Sequence, residues 1–296
     1  MKRTLIQKND AKSLAGIIAT ILLSIYALSL LGLLLWGVIG SFKGALEFQT
    51  NLFGWPKVFR YDNYQLAFDE LQVPISLKVG QRQAGLLEMF FWSVVTSIIP
   101  ATINVVFTAL CSYTLAKYSF GLRNTIYNIL IIVMIVPIIN SLPSNLEFLH
   151  KINMYDNLSW LIVSSCTIWT GQWLILYAVY KSLSWDYAEA AFMDGAGHHY
   201  VFWKIMFPMT FPSIAVLILL SFIERWNNYQ FTLIWYPSYP TIAYGLYYFQ
   251  FSNAQAASSE SVQIAGAILA AVPCLLLFVA FKDQMMSSLT MGGLKG

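Results

Sequence analysis

The chain has 296 residues, of which 58% are hydrophobic and only 10% charged, whereas soluble domains carry roughly 25% charged residues. This composition excludes a pair of soluble domains and indicates an integral membrane protein. The net charge of +3 is small and the basic residues are dispersed, so the sequence does not predict a nucleic-acid surface. All three cysteines lie inside apolar stretches, and we expect neither a disulfide nor a metal site.

A polar N-terminus, residues 1–13, precedes the first apolar stretch. Residues 14–39 include no charged side chain and as a helix would be about 39 Å long, which is enough to cross a bilayer with tilt. A cleaved signal peptide is the alternative, but its apolar core would usually be about 7–15 residues long. No small-residue cleavage site follows this longer stretch, so we predict a first transmembrane helix.

A long polar region, residues 41–88, follows this helix, and the sequence indicates no function for its later part, residues 71–85. Five further apolar stretches come after it, at residues 90–116, 125–142, 157–180, 208–223 and 261–281. Each is long enough, or nearly so, to cross a bilayer as a helix. The sequence therefore predicts an all-α protein with a single domain of six transmembrane helices.

A semi-polar segment, residues 182–207, separates the fourth and fifth stretches. Good helix formers occupy residues 187–193, and Gly195 and Gly197 can supply the positive φ angles with which a helix ends and the chain turns. A helical pattern resumes over residues 200–207 and meets Pro208. We predict two short helices with a break between them, exposing Glu189 and Asp194 at the membrane surface as a docking element.

The spacing in this segment resembles the cytoplasmic coupling motif of permease subunits in binding-protein-dependent ABC importers. The residues at the required offsets are Glu189, Ala190, Ala191, Gly195, Ile205 and Pro208, and the one departure is Phe207 where leucine is usual. The resemblance implies that these residues, with Asp194 in the turn, couple the chain to an ATPase. It also implies the type I ABC importer permease fold.

Two more segments carry the same resemblance. The end of the cytoplasmic tail, residues 282–296, resembles that of the maltose-type permeases, with Ser288 where glycine is usual. The resemblance implies contact between the ATPase dimer and the residues Leu289, Thr290, Gly292, Gly293, Lys295 and Gly296. Trp226 and Asn227 match a Trp-Asn pair of the family, which implies a place beside the translocation path; an interfacial tryptophan with a capping asparagine is the alternative.

The partners follow from the resemblance as expectations. They are a second permease subunit, two ATPase subunits and an external solute-binding protein, with a sugar or oligosaccharide as substrate. The chain has no Gly-x-x-x-x-Gly-Lys-Ser/Thr loop, so we expect ATP and Mg on the partner ATPase and no enzymatic activity here. With six crossings, the N-terminus and the coupling segment, residues 182–207, lie on the same side of the membrane. Most of the 17 lysines and arginines lie on that side. This bias predicts that both termini are cytoplasmic, and the resemblance implies the plasma membrane of a prokaryote.

An ion- or proton-coupled secondary transporter is the alternative function. Such transporters place ionisable side chains at membrane depth. The first four apolar stretches and the sixth contain none, and Glu224 and Arg225 lie only at the outer end of the fifth. The pair His198 and His199 could suggest a metal site, but adjacent residues on a helix point about 100° apart, which favours a plain interfacial role.

Overall fold

A computed structural model describes residues 14–76, 81–136, 141–168, 171–251 and 259–293. These residues are mostly helical. The helices are α1 Leu14–Ser41, α2 Ala45–Thr50, α3 Asp62–Glu70, α4 Leu86–Lys117, α5 Arg123–Ile135, α6 Leu142–Lys151, α7 Leu158–Ser165, α8 Gln172–Ser182, α9 Asp186–Met193, α10 His198–Val201, α11 Phe207–Trp226, α12 Ile242–Phe251 and α13 Glu260–Gly293. Two π-helical segments, Phe202–Met206 and Phe231–Trp235, precede and follow α11.

Four helical stretches of the described chain are long and apolar enough to cross a membrane. They are Gly16–Ser41, Leu86–Lys117, His198–Trp226 and Glu260–Ala280. The predicted third and fourth crossings, residues 125–142 and 157–180, are not among these four helices. Helix α5 has 13 residues, and the fourth stretch is divided into α7 and α8 by the chain between Ser165 and Gln172. β-Branched, aromatic and glycine residues, all weaker helix formers, fill that interval.

The described residues depart from the all-α prediction at one hairpin within region 41–88. Strands β1, Val73–Ser76, and β2, Gln81–Ala84, pair antiparallel with Val73 opposite Ala84. Val73, Ile75 and Ala84 are buried, so one face of the hairpin is apolar as strand periodicity requires. Arg82 and Glu88 form a bidentate ion pair that joins β2 to the first turn of α4.

The chain forms two compact units, and the first contains residues 1–71 and 249–269. The C-terminal end of α1 is fixed there by a buried asparagine: the amide of Asn63 donates to the carbonyl oxygens of Ser41 and Lys43 at 2.7 and 2.8 Å. The Tyr64 hydroxyl lies 2.8 Å from Ser41 Oγ. Lys43 is fully buried, and its ammonium group donates to the carbonyl of Asn51 at 2.6 Å. Asn63 and Tyr64 thus stabilise the loop that follows α1.

The second unit contains residues 72–248 and 270–296. Its long helix α4 packs against both α8 and α11. One core cluster consists of residues from α4, α8, α9, α10, α11 and the π-helical segment between α10 and α11, including Tyr113, Tyr180, Ala188, Phe202 and Met206. Because Ala188 belongs to α9, this core also fixes the segment that the sequence singled out.

A stripe of polar side chains on α4 faces the interval between α7 and α8. Asn104 donates to the carbonyl oxygens of Ser165 and Thr167, and the Ser112 hydroxyl donates to the carbonyl of Trp173 at 3.0 Å. Backbone groups within a bilayer have no water to bond, so an interrupted helix requires such partners. The stripe therefore explains how the fourth apolar stretch can be interrupted inside the protein.

Candidate functional site

Helix α9 presents one face to the core and the other to solvent. Ala188 has no exposed surface, while Glu189 and Ala190 are exposed and Ala191 and Phe192 are half-buried. Met193 is 88% exposed at the end of the helix. The small side chain of Ala188 allows the helix to pack closely, which leaves Glu189 and Met193 projecting from the opposite side. Part of this pattern, the exposure of Glu189 and Asp194, was predicted from the sequence.

The end of α9 is a Schellman motif. Gly195 has a φ of 85°, its N–H donates to the carbonyl of Phe192, and the N–H of Ala196 donates to the carbonyl of Ala191. The predicted positive φ at Gly195 is therefore confirmed. The same prediction for Gly197 is wrong, because Gly197 has a φ of −81° and precedes α10 in an extended conformation. One left-handed residue is sufficient to turn the chain.

The second predicted helix is continuous with the fifth apolar stretch instead of ending at Pro208. Helix α10 passes through the π-helical segment Phe202–Met206 into α11, where Pro208 occupies the first turn. Proline lacks an N–H and its ring clashes with the carbonyl four residues earlier. The wider turn, in which Phe207 N–H bonds to Phe202, precedes this proline directly. Ile205 is half-buried and Pro208 is exposed.

An aromatic cluster connects the coupling segment to the end of α4. The Tyr118 hydroxyl lies 2.8 Å from Nδ1 of His198, and the Tyr118 ring packs edge-on against Trp185. Phe192 packs against His198 in the same way, with ring centroids 4.9 Å apart. The Lys117 ammonium group donates to the carbonyl of Leu183 at 2.5 Å. Movement of the segment would therefore be transmitted directly to α4.

The carboxylates of Glu189 and Asp194 form no ion pair with any other described residue. Around them, Tyr187, Met193 and Tyr200 are each more than half exposed. An unpaired acid beside apolar side chains is a surface suited to a basic cleft on another protein. Among the described residues no cluster of histidine, cysteine, aspartate or glutamate could hold a metal ion, and His198 bonds Tyr118 instead.

The Trp-Asn pair lies at the opposite end of α11 from the coupling segment. Trp226 is 3% exposed, packs against Phe90 and Phe222, and donates its indole N–H to the carbonyl of Ala270 at 3.1 Å. Asn227 is exposed and donates to the carbonyl of Ile223 in its own helix. Trp226 thus joins α11 to α4 and α13, and a role beside the translocation path stays a prediction.

Part of the tail lies within the described chain. Helix α13 continues through Gly293, past the predicted end of the sixth crossing at residue 281, so Leu289, Thr290, Gly292 and Gly293 are helical. Lys295 and Gly296 lie outside the described residues. The contact of this tail with an ATPase stays a prediction.

The sequence profile of the family described as "Binding-protein-dependent transport system inner membrane component" matches residues 105–284, which include the whole coupling segment. The arabinooligosaccharides transport system permease protein AraQ of Bacillus subtilis is 28% identical, with 88% of each chain covered. The diacetylchitobiose uptake system permease protein NgcG of Streptomyces coelicolor is 27% identical, with 88% of this chain and 82% of that protein covered.

Solved structures show the same fold. A chain of a bacterial ABC transporter involved in the import of the acidic polysaccharide alginate superposes with a TM-score of 0.73 at 19% identity, covering 91% of this chain and 96% of that one. A second structure, of a bacterial alginate ABC transporter in complex with an alginate pentasaccharide-bound periplasmic protein, gives a TM-score of 0.59 at 16% identity, covering 92% and 94%.

The family match spans more than half of the chain, and the apolar helices, the exposed coupling segment and the fold agree with it. The protein is a multi-pass inner-membrane transport subunit, not an enzyme. The chain belongs to the family of inner-membrane components of binding-protein-dependent transport systems.

Proposed function

We propose that this chain is one of two permease subunits of an ATP-driven importer for a sugar or oligosaccharide. The observation that carries the proposal is the exposed, unpaired carboxylate of Glu189 on α9, whose opposite face is anchored in the core by Ala188. Because Glu189 and Ala188 belong to the same short helix, α9 would move as one piece. A force applied by an ATPase at Glu189 would therefore reach α4 and α11 through the core contacts of Ala188. The saccharides in the names of the two relatives support the substrate class.

The proposed assembly contains this chain, a second permease, two ATPase subunits and an external solute-binding protein. ATP and Mg would bind on the ATPase subunits, since this sequence lacks a phosphate-binding loop. Glu189, Ala190, Ala191, Asp194, Gly195, Ile205 and Pro208 would form the ATPase contact together with the tail from Leu289 to Gly296. Trp226 and Asn227 would lie near the path of the solute.

In the proposed topology the chain crosses the membrane six times with both termini in the cytoplasm. Helix α5 would supply part of the third crossing, and α7 and α8 together the fourth. The hydrogen bonds from Asn104 support this assignment, because they pair backbone groups at the interruption, and the bond from Ser112 joins α4 to the first turn of α8. The basic N-terminus, with Lys2, Arg3, Lys8 and Lys12, favours the cytoplasmic side.

Reconstitution separates this function from that of a secondary transporter. The chain would be purified with its neighbouring subunits, placed in proteoliposomes, and supplied with loaded binding protein on one side and ATP on the other. We expect solute uptake that requires ATP and the ATPase subunits. Uptake by this chain alone under an ion gradient, without ATP, would instead identify a secondary transporter.

A further inference from the structure

A cavity of about 370 Å³ lies between α6, α7 and the chain that follows α11. Trp160, Trp235 and Tyr236 supply aromatic walls, and Asn145, Asn228 and Arg225 supply polar groups. Small-molecule sites usually measure about 300–1,000 Å³ and combine apolar walls with a few placed polar groups. The size and chemistry of this cavity therefore fit a ligand of one or two sugar rings.

Arg225 is the charged residue of this cavity. Its side chain is half-buried, yet the guanidinium forms no hydrogen bond and no ion pair with any described residue. Glu224 precedes it in the chain and attracts its charge, but Glu224 is exposed and does not line the cavity, and the lining includes no acidic residue. The five N–H donors of the guanidinium thus remain for a ligand.

The walls of the cavity are held together by bonds between the two loops that form it. The Tyr155 hydroxyl donates to the carbonyl of Ile234 at 3.1 Å, and the Ser238 hydroxyl donates to Asp156 at 2.5 Å. The cavity is therefore formed before any ligand binds.

Two asparagines add donors on opposite walls. Asn228 accepts from the N–H of Phe231 through Oδ1, and its NH2 has no hydrogen bond with the described residues. The side chain of Asn145 on α6 likewise has none within the described chain. Sugar hydroxyl groups accept such donors, and the faces of sugar rings pack on aromatic rings.

The cavity and the coupling segment lie at opposite ends of α11. The 20 residues of this helix span about 30 Å, the thickness of the hydrocarbon core of a bilayer. With the coupling segment in the cytoplasm, as in the proposed function, the cavity opens on the external side. A solute released by an external binding protein arrives on that side.

We propose that this cavity binds a saccharide unit carrying a carboxylate, with Arg225 pairing the carboxylate and Asn145 and Asn228 donating to hydroxyl groups. A guanidinium binds a carboxylate through two parallel hydrogen bonds, which makes an acidic sugar a better ligand than a neutral sugar of the same size. The inference rests on the proposed function as a sugar importer and specifies the substrate class further.

The test uses the complex purified with its subunits and compares two probes by equilibrium titration, digalacturonate and the neutral disaccharide α-1,4-galactobiose. We expect digalacturonate to bind more tightly to the wild type, and Arg225→Gln to weaken it by roughly 10- to 100-fold. Arg225→Lys should weaken it less, because the charge remains. Asn145→Ala, at an exposed position, should reduce binding of both probes without affecting the fold.

Lys151→Gln is the control for charge, since it removes one positive charge from α6, which contributes to the cavity wall, at a residue that does not line the cavity. Equal affinity for the two probes, no saturable binding of digalacturonate, or equal losses in Arg225→Gln and Lys151→Gln would overturn the inference. A complex that fails to bind digalacturonate could still have its ATPase stimulated by a binding protein loaded with a neutral sugar. That result would leave the proposed function standing. If no ATPase subunit associates with the chain, the proposed function fails separately.

Discussion

The side-chain amide of Asn104 lies 2.9 Å from the carbonyl oxygen of Thr167, although 63 residues separate them. The same amide reaches the carbonyl of Ser165 at 3.0 Å, so one side chain satisfies two backbone groups at the interruption between α7 and α8. Asn104 is 4% exposed and lies within the apolar helix α4. A polar residue in this setting stabilises the fold by replacing the water that the interrupted backbone lacks.

Replacing Asn104 with leucine should destabilise the protein. The buried carbonyl of Ser165 would lose its donor and that of Thr167 would keep only the longer bond from Thr108, at a cost of about 1–3 kcal/mol for a buried unsatisfied group. The melting temperature of the purified permease in detergent should fall clearly. Thr114→Ala is the control, because within the described chain the Thr114 hydroxyl bonds only Leu110, in its own exposed turn. Equal melting temperatures for the two variants would contradict this role of Asn104.

Asn63→Ala should destabilise the loop after α1 by a similar mechanism. The last carbonyl groups of a helix have no partner within it, and Asn63 supplies donors to Ser41 and Lys43. We expect a loss of about 1–3 kcal/mol, measured as faster proteolysis of the loop and a lower melting temperature. Gln65→Ala, at an exposed position of the same helix, should change neither quantity.

Local signals in the sequence predicted much of the candidate site. Good helix formers followed by Asp194 and Gly195 indicated a helix end, and the structure contains one there with the positive φ. The exposure of Glu189 followed from its place on the polar side of α9. These features depend on neighbours within a few residues, which is why sequence patterns indicate them.

Features that depend on distant partners were not predicted. The hydrogen bond between Tyr118 and His198 joins residues 80 positions apart. The interruption after Ser165 depends on Asn104, and the polar spacing of Asn104, Thr108 and Ser112 in an apolar helix was the signal that could have indicated it. The hairpin β1–β2 likewise depends on pairing between two short segments with few sequence signals of their own.

Glu189→Gln and Glu189→Lys should uncouple the permease from its ATPase and leave the chain folded. The Glu189 side chain is exposed and has no ion pair in the described chain, so its loss removes no internal contact. Removing one member of a fully desolvated charge pair costs about 3–5 kcal/mol. The readouts are the ratio of ATPase to permease after purification and the uptake rate.

Glu147→Gln serves as the control for Glu189. Glu147 is exposed on α6 and pairs with Lys151 at the surface, an interaction worth about 0–1 kcal/mol. The Glu147→Gln variant should retain the ATPase subunits and the uptake rate of the wild type. Full transport by Glu189→Lys would exclude Glu189 from the coupling contact.

Deletion of residues 289–296 should reduce uptake and ATPase coupling while membrane insertion stays normal. The deleted residues include the last turn of α13. A replacement of the same eight residues by glycine and serine controls for length. If the truncated chain transports at the full rate, the tail is not part of the ATPase contact.

Gly195 and Gly197 provide a matched pair for testing whether the turn after α9 depends on a left-handed residue. A Cβ added at either position would meet no atom within 4 Å, but φ is 85° at Gly195 and −81° at Gly197. An L-residue in the left-handed region costs about 1–2 kcal/mol, and asparagine tolerates it better than alanine or valine. We expect the loss of uptake and ATPase coupling to be smallest for Gly195→Asn, larger for Gly195→Ala and largest for Gly195→Val. Gly197→Ala should stay near the wild type. Similar losses for alanine at both positions would show that added bulk at the docking surface, and not backbone strain, limits coupling.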